Sequence, residues 1–138
     1  ISLQNYSHYN QALAHPLGAN FFESVSLLRY QKRGFVGSCQ FNYIEQGADT
    51  NGSNWGADIF MDYLTPKERD YGNVVGQGVK TETYIFGVNL AYVLIPSVNL
   101  MAKTSFVFRS AVRNMDRENN CFFSIGLRTA LGNRYHDI

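Results

Sequence analysis

The stretch Val98-Asn99-Leu100-Met101-Ala102-Lys103-Thr104-Ser105-Phe106-Val107-Phe108-Arg109 changes character at every residue. Its even positions are Val98, Leu100, Ala102, Thr104, Phe106 and Phe108. Its odd positions include Asn99, Lys103, Ser105 and Arg109. Successive side chains of an extended chain point to opposite faces, so this alternation is that of a half-buried strand. The segment before it repeats the pattern, with Tyr84, Phe86, Val88, Leu90, Tyr92 and Leu94 set against Thr83, Gly87, Asn89 and Ala91. So does the last one, where Cys121, Phe123, Ile125, Leu127, Thr129 and Leu131 oppose Phe122, Ser124, Gly126, Arg128 and Ala130. From Phe35 to Glu45 a fourth strand is expected, and Phe21 to Tyr30 reads as a fifth. The fifth has unclear facing, because Glu23 and Arg29 share a parity with Phe21, Val25 and Leu27. Ile1 to Tyr9 is a candidate sixth. No segment carries a long helical period, and the chain is read as all-β.

Composition narrows the class. Charged residues make up 17% and aromatics 14% of 138 residues, and the formal net charge is +1. A near-neutral chain lacks the basic excess of a nucleic-acid binder, so no nucleic acid is expected as a partner. Its 45% hydrophobic content lies far from the disordered regime. Two cysteines cannot form a disulfide scaffold. The chain opens on Ile1 without a basic-then-apolar leader, and the expectation is that a signal peptide and an N-terminal portion lie outside it.

The connections suggest an orientation. Gln31-Lys32-Arg33-Gly34 and Leu94-Ile95-Pro96-Ser97 read as tight turns. Residues 10–20, 46–80 and 111–119 read as longer connections. Alternating long and short connections in an antiparallel meander place the tight turns at one end and the loops at the other. Outer-membrane barrels have that asymmetry, and the expected strands of about 10 to 13 residues exceed the ~5–6 of globular sheets and suffice for the ~9–11 needed to cross a bilayer. Aromatics near strand ends (Tyr43, Tyr84, Tyr92, Phe108, Phe123) suit interfacial girdles. Five or six strands do not close such a barrel, and an open edge in lipid is prohibitive. The fold class is therefore read as an antiparallel meander of long strands, part of a transmembrane outer-membrane β-barrel. Residues 1–138 form a single unit of five or six C-terminal strands, and 46–80 is a long extracellular loop.

Residues able to do chemistry are few. His8, His15 and His136 are scattered without metal-ligand spacing. Asp49-Thr50-Asn51-Gly52-Ser53-Asn54 has oxygen ligands, but its glycine comes too early for an EF-hand. Gly72-Asn73-Val74-Val75-Gly76-Gln77-Gly78 lacks the ending of a phosphate loop. No Ser-His-Asp or Cys-His arrangement stands out, so no enzyme, metal or cofactor is expected. Lys103, Arg109 and Arg128 fall on polar strand faces, where they would face the lumen. In the long loop, Trp55, the one tryptophan, stands beside Asn54 and Asp58. An exposed aromatic among amides and carboxylates can stack on and hydrogen-bond a sugar ring, which makes these three the candidate ligand contacts. The competing reading has Trp55 and Phe60 packing the loop onto the barrel mouth.

Several segments together suggest a family. Asn10-Gln11-Ala12-Leu13-Ala14-His15-Pro16-Leu17-Gly18-Ala19-Asn20, Asp70-Tyr71-Gly72-Asn73, Gly76-Gln77-Gly78, Gly126-Leu127-Arg128-Thr129 and Asn133-Arg134-Tyr135-His136-Asp137-Ile138 are the pieces. The chain resembles the C-terminal portion of Bacteroidota outer-membrane barrels, a group that includes capsule-assembly proteins of the Wzi type and a gliding-motility-associated member. It departs from them at Ile138, where such barrels usually end on an aromatic. The resemblance implies a non-enzymatic protein of the bacterial cell outer membrane, working in capsule polysaccharide attachment or export, or in a gliding or secretion-associated surface complex. Its implied partners are outer-membrane lipid, surface polysaccharide and other outer-membrane or surface proteins. Two alternatives remain: a passive pore or transporter, and a soluble β-barrel that binds a small ligand.

Overall fold

The computed structural model describes residues 7–9, 11–13, 15–50, 52–61 and 65–129. Two short strands, β1 (Ser7–His8) and β2 (Gln11–Ala12), pair with each other as an antiparallel ladder. Five long strands follow: β3 (Phe21–Lys32), β4 (Phe35–Ala48), β5 (Val79–Ile95), β6 (Leu100–Arg113) and β7 (Asp116–Arg128). They form one antiparallel sheet in chain order, β3-β4-β5-β6-β7. The sheet is open, with β3 and β7 at its edges.

The all-β meander expected from the alternation is therefore present, and the details differ in four places. Of the candidate sixth strand, residues 1–9, only 7–9 are described, and there Ser7–His8 pairs with β2 in a separate two-stranded ladder; residues 1–6 lie outside the described residues. Val98 belongs to a 3-10 turn, Pro96–Val98, that closes on Asn99 in the left-handed region (φ 51°). Strand β7 ends at Arg128: Thr129 lies beyond the strand, and Ala130 and Leu131 of the expected continuation fall outside the described residues. The largest correction concerns 111–119. Its charged composition reads as a loop, yet β6 continues to Arg113 and β7 begins at Asp116. Two residues, Asn114 (φ 47°) and Met115 (φ 73°), make the whole turn. Long and short connections therefore do not alternate to the end of the chain.

Both two-residue hairpins have positive φ at each central position, as twisted strands demand. Arg33 and Gly34 (φ 47° and 82°) make the β3–β4 turn. At the β6–β7 turn, Met115 stands where glycine is usual, with its side chain 99% exposed. A left-handed conformation costs an ordinary L-residue about 1 kcal/mol or more. Met115→Gly is accordingly expected to stabilise the hairpin by about 1 kcal/mol, read as an upward shift in the denaturant midpoint.

The chain divides into two compact units. The first comprises Ile1–Ser24, Asn42–Tyr84 and Ser110–Glu118; the second comprises Val25–Phe41, Ile85–Arg109 and Asn119–Ile138. Neither has an ordinary core: among the described residues, no large side chain is fully buried. Large apolar groups lie open instead, including Leu28 (71% exposed), Ile125 (80%) and Leu127 (70%).

Side-chain contacts fix which positions share a face. In the first unit, the ring of Tyr43 lies 6.3 Å from Phe22 and 5.1 Å from Tyr84. In the second, the Tyr30 and Phe35 rings are 6.3 Å apart. Even positions of β3, odd positions of β4 and even positions of β5 thus form one face. Ambiguous β3 is settled: Glu23 and Arg29 lie on the opposite face from Phe22, Leu28 and Tyr30. A shallow apolar depression of about 230 Å³ in the second unit extends this face across Phe35, Leu90, Tyr92, Ala102, Thr104 and Ile125. On the other face, the Ser105 and Ser124 hydroxyls are 2.5 Å apart.

Candidate functional site

The described part of segment 49–78 is organised by one carboxylate. Asp49 Oδ1 accepts from the Trp55 amide at 2.6 Å, while Oδ2 accepts from the amides of Ala57 (3.1 Å) and Asp58 (2.9 Å). Three otherwise unpaired backbone donors are satisfied by one side chain, which is how a loop without a ladder keeps a single conformation. Asn54 pins the chain further on: its Nδ2 donates to Thr65 O at 3.2 Å, and its carbonyl oxygen accepts from Gly56 N at 3.1 Å.

A second knot ties this segment to the strands. The Asn20 carboxamide donates to the carbonyls of Gly47 (3.1 Å) and Gln77 (2.9 Å) and accepts from Gly76 N (3.0 Å). Gly47 N donates to Asn20 O at 3.0 Å, and Gln46 Nε2 donates to Leu17 O at 3.0 Å. His15 stacks on Phe21 with ring centroids 4.3 Å apart. Its Nδ1 accepts from Leu17 N at 3.2 Å, which leaves Nε2 to donate to Glu23 at 3.0 Å. His15-Pro16-Leu17-Gly18-Ala19-Asn20 and Gly76-Gln77-Gly78, far apart in sequence, therefore meet at one place.

The expected ligand contacts in the loop do not converge. Trp55 is half-buried, and its Cδ1 stands 2.9 Å from where a Gly78 side chain would begin. Asn54 lines a hollow of about 590 Å³ with Ser53, Lys67 and Glu68. Asp58 lines a different hollow of about 400 Å³ with Gln46 and Asp49, and its Oδ1 accepts from Phe60 N at 2.8 Å. Phe60 itself is exposed.

Next to the aromatic row of the first unit is an ion cluster that strand alternation does not reveal. Lys80 Nζ lies 2.9 Å from Glu82 and 3.2 Å from Glu45. Tyr43 donates its hydroxyl proton to Glu45 at 3.0 Å, and Tyr84 donates to Glu82 at 3.3 Å. The hydrogen bond from Lys80 holds the Glu82 carboxyl below the usual glutamate range, and Glu82, followed by Glu45, raises Lys80 above the usual lysine range. The signal for this cluster lay in spacing: two carboxylates and a lysine at same-face positions of strands that turn out to be neighbours.

The second unit holds the other candidate. A hollow of about 330 Å³ has mostly apolar walls, Leu90 among them, and carries Ser38, Asn89, Asn99, Lys103 and Arg128 as its polar members. Two of the three expected lumen cations, Lys103 and Arg128, are brought together there; Arg109 lies on the same strand face but does not line it.

No family model, curated protein or solved structure matches the chain. Among the described residues no three His, Cys, Asp or Glu side chains converge to hold a metal, and no helix is long and apolar enough to cross a membrane. Cys39 and Cys121 are free thiols.

Proposed function

We propose that the chain is part of a transmembrane outer-membrane β-barrel. It serves cell-surface assembly without catalysis, most directly by attaching or exporting surface polysaccharide. One observation carries the membrane reading. On three adjacent strands the same face bears an aromatic pair eight residues apart: Phe22 and Tyr30, Phe35 and Tyr43, Tyr84 and Tyr92. Eight strand residues cover about 26 Å, or about 20 Å along the normal at a 40° tilt, close to the ~25 Å outward apolar band of such barrels. Between the members of each pair this face carries no charge: Ser24, Ser26, Leu28; Gly37, Cys39, Phe41; Phe86, Val88, Leu90. Charges begin just beyond the pairs, at Lys32, Glu45 and Glu82. A strand face that meets hydrocarbon, flanked by interfacial rings and then water, has this order. The open edges support a larger barrel, because lipid does not satisfy unpaired backbone groups.

The surface role rests on the resemblance to capsule-assembly and gliding-associated barrels and on segment 46–80, which is too elaborately braced to be a passive connection. In this reading 46–80 is extracellular and presents the recognition surface, with outer-membrane lipid, surface polysaccharide and neighbouring surface proteins as partners. Trp55 acts by packing on Gly78 and holding that surface in shape. Trp55→Ala should then make 46–80 protease-sensitive and cut polysaccharide retention several-fold, with the strands still heat-resistant on a gel. Unchanged retention would remove the segment as a recognition surface.

The membrane assignment is tested by extraction: the protein should need detergent and run as a heat-modifiable band, and a species that stays in the aqueous phase would overturn it in favour of the soluble binder. A second reading, a passive pore or transporter, draws support from the cations on the polar face. Single-channel recording of the full-length protein separates the two: a silent barrel supports surface assembly, and stable conduction supports the pore.

A further inference from the structure

Charge is divided unevenly between the two units. The described residues of the second unit include Arg29, Lys32, Arg33, Lys103, Arg109 and Arg128, and not one Asp or Glu. The first unit holds Glu23, Glu45, Asp49, Asp58, Glu68, Asp70, Glu82, Asp116 and Glu118. Lys80 of the first unit has two carboxylates, whereas Lys103 and Arg128 have no ion-pair partner among the described residues. Lys103 is half-buried as well, so part of its hydration is already lost.

We infer that the hollow lined by Lys103, Arg128, Asn89, Asn99 and Ser38 is an anion-binding site, taking one carboxylate or phosphate group of a small polar ligand. Two cations from neighbouring strands supply the charge, and a planar guanidinium matches the paired oxygens of either anion. Asn89, Asn99 and Ser38 add neutral donors and acceptors that suit hydroxyls beside the acidic group. A volume of about 330 Å³ lies at the small end of ligand pockets, room for a single ring or short acid. Among the described residues of this unit no carboxylate is present, and this matters most, since an internal acid would occupy the cations and close the site. The inference stands apart from the membrane reading, because it uses the polar side chains of the hollow, which have the parity opposite to the aromatic row.

Calorimetric titration of the full chain at low salt tests it, with galacturonate as the acidic probe, galactose as its neutral counterpart and inorganic phosphate as competitor. Galacturonate should bind at least about tenfold more tightly than galactose, and Arg128→Gln and Lys103→Gln should each weaken it by roughly tenfold. Arg109→Gln, which changes a cation of the same strand face outside the hollow, should leave binding unchanged. Displacement by phosphate assigns the site to either anion, and failure of phosphate to displace galacturonate assigns it to carboxylates. Equal binding of the two sugars overturns the proposal, as does an equal loss in all three variants, which would mean diffuse attraction to a cationic surface. Unaltered strand spectra in each variant separate these outcomes from misfolding. Failure here would leave the detergent-extraction result untouched, and the reverse also holds.

Discussion

Leu90→Arg should impair assembly of the protein into the membrane. Leu90 lies on the charge-free face of β5, six residues from Tyr84 and two from Tyr92, and it lines the apolar depression with Phe35 and Ile125. Its side chain is 38% exposed, so the substitution meets little steric resistance from neighbours and the penalty comes from the surrounding medium. In hydrocarbon a lipid-facing Arg costs about 2–4 kcal/mol near mid-depth and less toward the interface. Proteins are stable by only about 5–15 kcal/mol, so a loss of this size removes a sizeable share of the margin and lowers the assembled yield. The adjacent Asn89→Arg reverses the face and keeps the strand position. It should assemble normally, since Asn89 has the opposite parity and lies on the strand face away from Phe86, Val88 and Leu90. The heat-modifiable band in outer-membrane fractions measures both. Normal assembly of Leu90→Arg would mean that water or protein, not lipid, covers this face.

That experiment relies on facing, the feature the sequence displays most plainly. Alternation along 83–94, 100–109 and 121–128 separates the faces, because a strand polar on one side and apolar on the other has only one way to distribute its residues. Where both faces meet water the signal vanishes. Arg113 to Glu118 is polar at every position except Met115, so its composition resembles a loop although all but Asn114 and Met115 belong to strands. Edge strand β3 is blurred for a related reason: Ser24 and Ser26 dilute its apolar face, while Phe21 and Val25 share a face with Glu23 and Arg29. The eight-residue aromatic step was present in the sequence throughout, but only the strand pairing shows that the three pairs are adjacent.

The site was legible in part. Lys103 and Arg128 could be placed on polar faces by parity, and the fold adds that they border one hollow. Arg109 has the same parity as Lys103 and lies elsewhere, since parity gives a face and says nothing of position along it. Trp55 attracts notice by being the one tryptophan, yet the contact that defines it is with Gly78, twenty-three residues away. No local pattern announces such pairs. The Asn20 knot is of the same kind, joining residues 20, 47 and 76–77 through hydrogen bonds that leave no periodic trace.

Gly47→Ala is expected to undo that knot with a single methyl group. Gly47 is buried in β4, and a Cβ there would run into the carbonyl oxygen of Gln77 and stand 2.6 Å from Asn20 Nδ2. Gln77 cannot retreat freely, because its carbonyl and the neighbouring Gly76 amide are both held by Asn20. Gly76 is in turn confined by Glu45, whose Oε1 occupies the space a side chain would need. The methyl must therefore displace backbone, a change that costs about 1–3 kcal/mol by overpacking and more if the buried polar groups lose their partners. Asn20→Ala tests the same knot from the other side. It removes three hydrogen bonds and places alanine at φ 56°, where asparagine is better tolerated. Gly87→Ala is the control: it too is a buried strand glycine, but nothing lies within 4 Å of its Cβ position. Limited proteolysis should cut within 49–78 at least about tenfold faster in Gly47→Ala and Asn20→Ala than in the parent, for a local loss of about 1.4 kcal/mol or more. Gly87→Ala should match the parent. Because the knot lies where β4 ends and β5 begins, the strands themselves should keep their heat resistance, so faster cleavage with an intact sheet would locate the loop's stability in this junction. Parent-like resistance in both variants would show instead that the loop is held by Asp49 and Asn54 alone.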